Sequence, residues 1–585
     1  MTASQRMVVV GGVAGGMSAA ARARRLDEHA DIVVLEQGDF VSFANCGLPY
    51  HLSGEIDRRD SLLLHTPATL ASTLNLDVRT GHRVTGVDRD AREVIVQTAE
   101  RTYRLSYDAL LLAPGATAVR PPVEGLDHPA VHALRVVPDV DALRATVDGL
   151  LASGDDGDRA AEPPTAVVVG AGFIGLEAVE ALAARGLRVH LVELADHVLP
   201  PLDAELAPLL ADELTSHGVR LHLGVGAEKI RPASEAADYG EETVRPAGPV
   251  VVTLSDGTEV TADVVVVNVG VRPASALARE AGLDLGASGA IRVDGDQRTS
   301  DPHIWAVGDA VEVVQAVTGA TGPVPLAGPA NRQGRRAADS ICGRRTTPQA
   351  PVLGTAIVRV FGLTAAVTGA NQATLRRAGI DHEVVHVHPG HHAGYYPGAE
   401  QVHIVASFAP DGSLLGAQAV GRAGVDKRID VLATALRAGM GADDLAELEL
   451  AYSPPFGSAK DPVNMLGFVA QNVLDGTMPQ WQAWDLEEVR ERSLVLDVRS
   501  RAEFAGGHLG GALNIPHTEL RDRLDEVRDA AGGRPVSVHC ASGVRSYLAT
   551  RILRGDGIDA RNLSGGWLTL VAAHPELLEG VAAQA

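Results

Sequence analysis

Cysteine is scarce in this sequence. Its 585 residues hold only Cys46, Cys342 and Cys540, an odd and scattered set that excludes a disulfide framework. No two of them stand close enough in sequence to suggest a zinc site, and no metal is expected. Basic charge is short as well. Against 74 Asp and Glu there are 51 Lys and Arg, a formal charge of −23. That argues against a general nucleic-acid binder, which needs basic surface to neutralise phosphates. A small anionic substrate stays open, because a local cluster of arginines can sit in an acidic protein. Long apolar runs are missing too. Val264–Val267 falls far below the roughly 20 residues needed to span a bilayer. The opening MTASQRMVVVGG enters a strand at once, with no charged segment leading into a long apolar one. Aromatic residues make up only 3% of the chain, while 45% hydrophobic residues is ordinary for a globular protein. The expectation is a protein of a reducing cytoplasm, with neither membrane nor nucleic acid as partner, built from three or four domains.

What is present begins with a pattern that occurs twice. Met7–Val10 reads as a strand and runs into Gly11-Gly12-Val13-Ala14-Gly15-Gly16. A helix of small residues follows to Arg25, then a strand Ile32–Leu35 ending at Glu36. Ala166–Val169 runs into Gly170-Ala171-Gly172-Phe173-Ile174-Gly175, then a helix to about Arg185 and a strand Arg188–Val192 ending at Glu193. Each copy is strand, glycine turn, helix, strand and acid, the dinucleotide-binding fingerprint in its required setting. Glycines let the backbone approach a pyrophosphate, the helix start offers free N–H groups and a positive dipole end, and the acid accepts from ribose hydroxyls. Val13 departs from the pattern, standing where a second glycine is usual.

Other segments set the organisation. Ser153–Pro164 reads as a surface loop, and Pro232–Pro249 as a polar insertion in a hairpin. Strand Val264–Val267 leads to Gly270-Val271-Arg272-Pro273, and Ile304–Val307 reads as a strand ending in Gly308-Asp309. From about Ala350 to Ala470 strands and helices alternate without a phosphate loop. A last unit of about 100 residues carries strands Leu494–Asp497 and Val536–His539 and a helix Tyr547–Leu553, the signature of a small α/β domain. The expected architecture is α/β. It has two Rossmann-like domains, for FAD (1–150 with 285–335) and NAD (151–284), an α+β dimerisation domain (336–472), a linker (473–484) and a terminal α/β domain (485–585).

The segment Val41-Ser42-Phe43-Ala44-Asn45-Cys46-Gly47-Leu48-Pro49-Tyr50 resembles the single-cysteine branch of the pyridine nucleotide–disulfide oxidoreductases, in particular the coenzyme A disulfide reductases. Gly394-Tyr395-Tyr396-Pro397-Gly398, Ala451-Tyr452-Ser453-Pro454-Pro455-Phe456 and Lys460-Asp461 extend the likeness over roughly residues 5–470. The remainder resembles a rhodanese domain. The whole is similar to the fused CoA-disulfide reductase–rhodanese group, which includes NADH-dependent persulfide reductases.

Two-cysteine reductases of this superfamily place a second cysteine five positions after the first. Here that position is His51, so no internal bridge can close. Cys46 must form its mixed disulfide, persulfide or sulfenic acid with something outside the chain. The resemblance implies that electrons from NAD(P)H pass by way of a flavin to sulfur, and that the Cys46 thiolate attacks a disulfide or the inner sulfur of a persulfide. A depressed thiol pKa is expected there. It also implies a homodimer in which Tyr395 and Tyr452 cross from the partner subunit to assist the leaving thiolate. Contacts to coenzyme A, as substrate or bound ligand, map onto Ser18, Arg22, Arg25, Ser42, Asn45, Tyr395 and Lys460, with arginine forks suited to phosphate. One lysine contact of the family falls on Leu74, which leaves room for smaller persulfides.

For FAD, the resemblance implies a pyrophosphate turn of Gly11, Val13 and Gly15, with Glu36 on the ribose. Ala113-Pro114-Gly115 forms a second segment, and Asp309 after Gly308 binds the ribityl or pyrophosphate region. For the nicotinamide cofactor, Gly170, Gly172 and Gly175 form the turn. Glu193 suits two free ribose hydroxyls and repels a 2′-phosphate, which favours NADH over NADPH.

Cys540-Ala541-Ser542-Gly543-Val544-Arg545-Ser546 lies between a strand and a helix. Successive N–H groups there face the sulfur and stabilise a thiolate, then a bound persulfide. Arg545 adds positive charge. The loop length resembles sulfur-transferring rhodaneses, as do Asp497-Val498-Arg499, Glu503-Phe504 and His508-Leu509. Cys342, ending a helix, reads as packing. Two competing readings remain. One is an NADH peroxidase or oxidase cycling Cys46 through a sulfenic acid, although such relatives carry a His after the first glycine loop and Met17–Arg25 has none. The other is a persulfide sensor that reacts once and stops.

Overall fold

A computed structural model describes residues 5–153, 162–233, 248–574 and 578–579. Two compact units emerge. One comprises residues 1–196 and 217–354, the other residues 197–216 and 355–585.

The first unit is built on two parallel sheets. One orders its strands Ile304–Ala306, Ala109–Leu112, Arg6–Val10, Asp31–Leu35 and Asp77–Arg79. The other runs Arg220–Leu223, Arg188–Glu193, Thr165–Val169, Val264–Val267 and Val131–His132. Their central strands are unbroken apolar runs because both faces are covered. Val8 and Val9, Leu110 to Leu112, and Val167 and Val168 are fully buried. Each sheet is accompanied by a three-stranded antiparallel meander, and a short pairing of Ala116–Ala118 with Val271–Pro273 ties the two halves. The helices after the two glycine turns run Ala14–Leu26 and Phe173–Ala184. Helix Ala327–Ile341 crosses the domain boundary expected at 335/336 and packs on Ala14–Leu26, adding Ala337, Ala338 and Ile341 to the core.

The second unit joins an antiparallel and a parallel sheet. The antiparallel one is ordered Ala356–Val360, Leu363–Gly369, Leu414–Gly421, Val402–Phe408 and Glu383–Val387. Helices Val425–Ala438, Ala442–Glu447 and Pro462–Leu474 close its core, with Phe408, Leu432 and Leu466 fully buried. The parallel sheet is ordered Gln480–Trp481, Ala560–Leu563, Val536–His539, Leu494–Asp497 and Leu513–Asn514. Thus the stretch expected as a linker contributes a strand, and Trp481 is 1% exposed. Most of the expected loop at 153–164 and of the insertion at 232–249 lies outside the described residues, but the strands Ala227–Pro232 and Val250–Leu254 that flank the insertion do pair antiparallel. Among the described residues no helix is long and apolar enough to cross a membrane.

Candidate active sites

The two glycine turns share one geometry. Gly11 and Gly170 both take φ of +103°, a conformation open to glycine. In the first copy Glu36 accepts from Gly12 N–H and Gly38 N–H, each at 2.8 Å. In the second Glu193 accepts from Ala171 N–H at 2.6 Å and Ala195 N–H at 2.9 Å. Each acid is therefore fixed at the lip of its turn. A Cβ on Gly175 would overlap the carbonyl oxygen of Gly170, and one on Gly16 would overlap that of Gly11. Gly16 thus answers to Gly175 in letting helix and strand close, a role the sequence reading overlooked. Gly15 instead meets the Val307 side chain. Val13 caps its helix without a side-chain bond. At Gly172 a Cβ would meet nothing within 4 Å, so the second turn opens onto space that a pyrophosphate can enter.

Around the first turn the structure gathers the rest of the expected flavin segment. Gly115 has φ of +70°, and the guanidinium of Arg135 lies between it and Asp309, 3.7 Å from the latter. Pro114 precedes Gly115 directly after the buried strand Ala109–Leu112 and Ala113. Gly308 N–H donates to Gln333 Oε1 at 2.7 Å. Burial pushes the Asp309 carboxyl up, with Arg135 opposing. Two ribose-type acids, two glycine turns, the second of them open at Gly172, and an Arg–Asp pair fit an FAD on the first domain and a pyridine nucleotide on the second.

Cys46 stands on a short 3-10 turn, Asn45–Gly47, that leads into helix Leu48–Ser53. Ser42 N–H donates to Gly12 O at 2.8 Å, and Ser42 takes a left-handed φ of +51°. The cysteine segment is thereby stitched to the first glycine turn. Cys46 and Asn45 are exposed. The thiol pKa is raised, first by desolvation, then by the carboxylates of Glu177 and Asp309, with a backbone hydrogen bond opposing. This corrects the expectation of a depressed value. The helix behind Cys46 has only six residues, too short for a strong dipole, and two acids face the sulfur. His51 is buried, holds Ile56 O at 2.7 Å, and has its own carbonyl taken by Arg144. Glu177, two residues after Gly175, accepts from Tyr50 Oη at 3.2 Å. Its place in the first turns of the second Rossmann helix was the signal that could have found it. Arg135 lies between strand and helix and carries no such signal.

Of the expected coenzyme A contacts in this unit, Ser18 Oγ donates to Asn331 Oδ1 at 2.5 Å and Arg22 pairs with Asp339 at 2.7 Å, while Arg25 is exposed. Leu74 packs at the edge of the core. Cys342 is half-buried beside that same core.

In the second unit Tyr395 and Tyr452 come together, Oη to Oη at 3.3 Å, both exposed. That contact raises the Tyr395 pKa and keeps its phenol a proton donor. Lys460 is exposed beside Asp461, which caps helix Pro462–Leu474 and forms a buried pair with Arg428 at 2.8 Å.

Cys540 is 1% exposed and accepts from Ser546 Oγ at 3.2 Å. Gly543, at φ of +94°, turns the loop into helix Val544–Gly555. Arg545 is not a lone cation. It grips Glu503 through both terminal nitrogens, at 2.8 and 2.6 Å, and holds that carboxyl down to about 2. Asp497 and Arg499 form a fully buried pair, with Arg499 4.0 Å over the Trp567 ring. His508 stacks on Phe504.

Residues 5–324 match the pyridine nucleotide-disulphide oxidoreductase family, and 355–462 match its dimerisation domain. The chain belongs to that family. Residues 474–573 match the rhodanese-like domain. The Coenzyme A disulfide reductase of Staphylococcus haemolyticus is 34% identical over 473 residues, covering 80% of this chain and all of that protein. Among solved structures, reduced CoADR-RHD of Bacillus anthracis is 41% identical with a TM-score of 0.91, covering 98% of this chain and 99% of that one. A NAD-dependent persulfide reductase from A. fulgidus is 37% identical with a TM-score of 0.87, covering 97% of this chain and all of that one. A water-forming NADH oxidase from Lactobacillus brevis, 24% identical over 81% of this chain and all of that one, shares the fold with a TM-score of 0.73. The chain is thus an α/β flavoprotein-type oxidoreductase with two Rossmann-like domains, a dimerisation domain and a rhodanese domain, and its fold implies FAD and NAD(P)H.

Proposed function

We propose that this protein reduces coenzyme A disulfide, coenzyme A persulfide or polysulfide with NAD(P)H, and that its rhodanese domain hands sulfane sulfur to or from that reaction. The observation that carries the reading is Cys46: an exposed sulfur with no second cysteine at position 51, stitched to the glycine turn of the first dinucleotide domain. The relatives' names point the same way.

The Cys46 thiolate attacks one sulfur of RS–SR. A Cys46–S–S–R bond forms and RS⁻ leaves, taking a proton. With RS–SH, attack on the inner sulfur expels HS⁻ and gives the same mixed disulfide. Two electrons and a proton then break that bond, returning the Cys46 thiolate and RSH. FAD, held by Gly11, Val13, Gly15, Glu36, Pro114, Gly115, Gly308 and Asp309, supplies two-electron transfer between nicotinamide and sulfur when bound. Gly170, Gly172, Gly175 and Glu193 hold the nicotinamide cofactor. Because the Glu193 carboxylate at the lip of the second turn would meet the ribose and repel a 2′-phosphate, NADH is the preferred donor.

Ser18, Arg22, Arg25, Ser42, Asn45 and Lys460 would contact the coenzyme A moiety, with Asp339 yielding Arg22 to phosphate. The working form is a homodimer, in which the exposed Tyr395–Tyr452 pair reaches the Cys46 of a second copy and protonates the leaving thiolate. At Cys540 the thiolate takes the outer sulfur of a donor RS–S⁻. Cys540–S–S⁻ forms, RS⁻ departs, and loop amides with Arg545 hold the persulfide charge.

Steady-state NADH oxidation with coenzyme A disulfide, coenzyme A persulfide, polysulfide and hydrogen peroxide tests the reading. Turnover with the sulfur substrates is expected. Turnover with peroxide alone would favour a sulfenic acid cycle at Cys46, and a single stoichiometric burst would favour a sensor.

A further inference from the structure

The sulfur-binding loop around Cys540 is held from outside its own domain. Strand Glu383–Val387 is the edge of the antiparallel sheet, and its free edge is met by rhodanese-side groups. Gln480 and Gln482 both donate to Val384 O, at 2.9 and 2.8 Å. His386 N–H donates to Ser564 Oγ at 3.1 Å, and His386 Nδ1 lies 3.0 Å from the same oxygen. One step further, His388 Nε2 lies 2.9 Å from Thr569 Oγ1, while its Nδ1 lies 2.8 Å from His403 Nδ1. Both histidines are buried, at 3% and 9% exposure.

What they grip is the turn under the reactive loop. A Cβ on Gly565 would stand 2.8 Å from both His386 Cβ and His388 Nε2. On its other side, a Cβ on Gly566 would stand 2.6 Å from Cys540 O, 2.8 Å from Gly543 N and 2.9 Å from Ser542 N. Trp567 N–H donates to Cys540 O at 2.7 Å and Leu568 N–H to Ala541 O at 3.0 Å. One glycine turn is thus sandwiched between two imidazoles and the backbone of the Cys540 loop.

We propose that His386 and His388 of the dimerisation domain are positioning residues for the sulfurtransferase site, pinning the Ser564–Thr569 turn so that the loop amides converge on Cys540. This rests on Cys540 being the sulfur-accepting thiol. The device works with neutral imidazoles. Burial lowers the pKa of His386, His388 and His403 alike, and His403 further opposes a charge on His388. Facing His386 are Glu205, which favours its charged form, and the Trp484 ring that carries Arg376. Asp203, raised to about 6, lies beyond Glu205. From the rhodanese side the pair meets the Ser564 and Thr569 hydroxyls and the backbone of Gly565. An undocked, solvated imidazole takes its proton at about 6.5. Docking is therefore complete above that value and weakens as pH falls below it. Glu503, at about 2, keeps its charge through that window.

The test is the sulfurtransferase rate of the full-length holoenzyme with thiosulfate as donor and cyanide as acceptor, followed from pH 8 to pH 5. NADH-dependent disulfide reduction is measured on the same samples. His388→Ala and Ser564→Ala should each lower sulfurtransferase kcat/KM about tenfold at pH 7.5, the worth of a net hydrogen bond, and leave disulfide reduction unchanged. His386→Asn with His388→Gln keeps one nitrogen at each Nδ1 or Nε2 contact without a titrating ring. It should restore most of the rate and flatten the acid limb, while His539, held at about 4 beside Cys540, remains to titrate. An Ala variant with wild-type kcat/KM, or an acid limb unchanged in the Asn/Gln variant, overturns the inference. A wild-type rate that survives Cys540→Ser overturns instead the assignment of Cys540 on which it rests.

Discussion

At the residue scale the chemistry is concentrated in sulfur and the charges that face it. Burial raises the Cys46 pKa, and Glu177 and then Asp309 add to it. Glu177→Gln should therefore move the midpoint of Cys46 alkylation by iodoacetamide to lower pH, and a midpoint that stays put would show that the carboxylate does not reach the sulfur. Cys46 itself was legible in the sequence because position 51 is a histidine. The setting of that histidine was not, since its burial and its bond to Ile56 O arise from packing. The sign of the Cys46 shift was hidden for the same reason. A helix start behind a cysteine is visible in one dimension, but the burial that raises its pKa, and the carboxylates 131 and 263 positions away that add to it, are not. Glu193 gives a second residue-scale prediction. Glu193→Ala combined with Ala195→Arg should shift the ratio of kcat/KM for NADPH over NADH upward by about tenfold or more, by removing a repulsive charge and adding a phosphate partner.

At the element scale, the glycine turns and the strands they follow were legible. Continuous valine runs, glycines and a terminal acid fix a βαβ unit by local rules. The observed strand Val264–Val267 and the strands Leu494–Asp497 and Val536–His539 fall where the pattern puts them. The third glycine of the first turn was harder, because Gly15 and Gly16 are adjacent and only the overlap with Gly11 O separates them. Gly16→Ala should push helix Ala14–Leu26 off its strand, and the purified protein should lose flavin absorbance. Retention of full flavin by that variant would contradict the close packing. Elsewhere, helix Pro462–Leu474 starts at Asp461, whose carboxylate also neutralises the buried Arg428. Arg428→Ala leaves that carboxylate only the more distant Lys427 at 3.7 Å and should cost up to about 3 kcal/mol, read as a lower urea midpoint for the second unit. A helix end capped by a residue that also serves an ion pair from another helix cannot be seen in a linear pattern.

At the scale of the whole molecule, one chain carries two sulfur sites of different kinds. Cys46 lies exposed against a dinucleotide-binding turn, and Cys540 lies buried in a loop of amides beside an Arg–Glu pair. Covalent fusion raises the concentration of one site seen by the other's product. Fusion was legible from the two motifs and their separation. The docking was not, because His386, His388 and the two glutamines meet the rhodanese domain through hydroxyls and carbonyls with no sequence signature. The labour divides cleanly between the two sulfurs. Reduction belongs to Cys46 and sulfur transfer to Cys540, so each can be removed without the other. The most direct measurement is NADH oxidation on addition of coenzyme A disulfide or persulfide by the Cys46→Ser protein, with thiosulfate:cyanide sulfur transfer followed in parallel. Loss of NADH oxidation to background with sulfur transfer intact is the predicted result, and sustained NADH turnover without the Cys46 sulfur would contradict it.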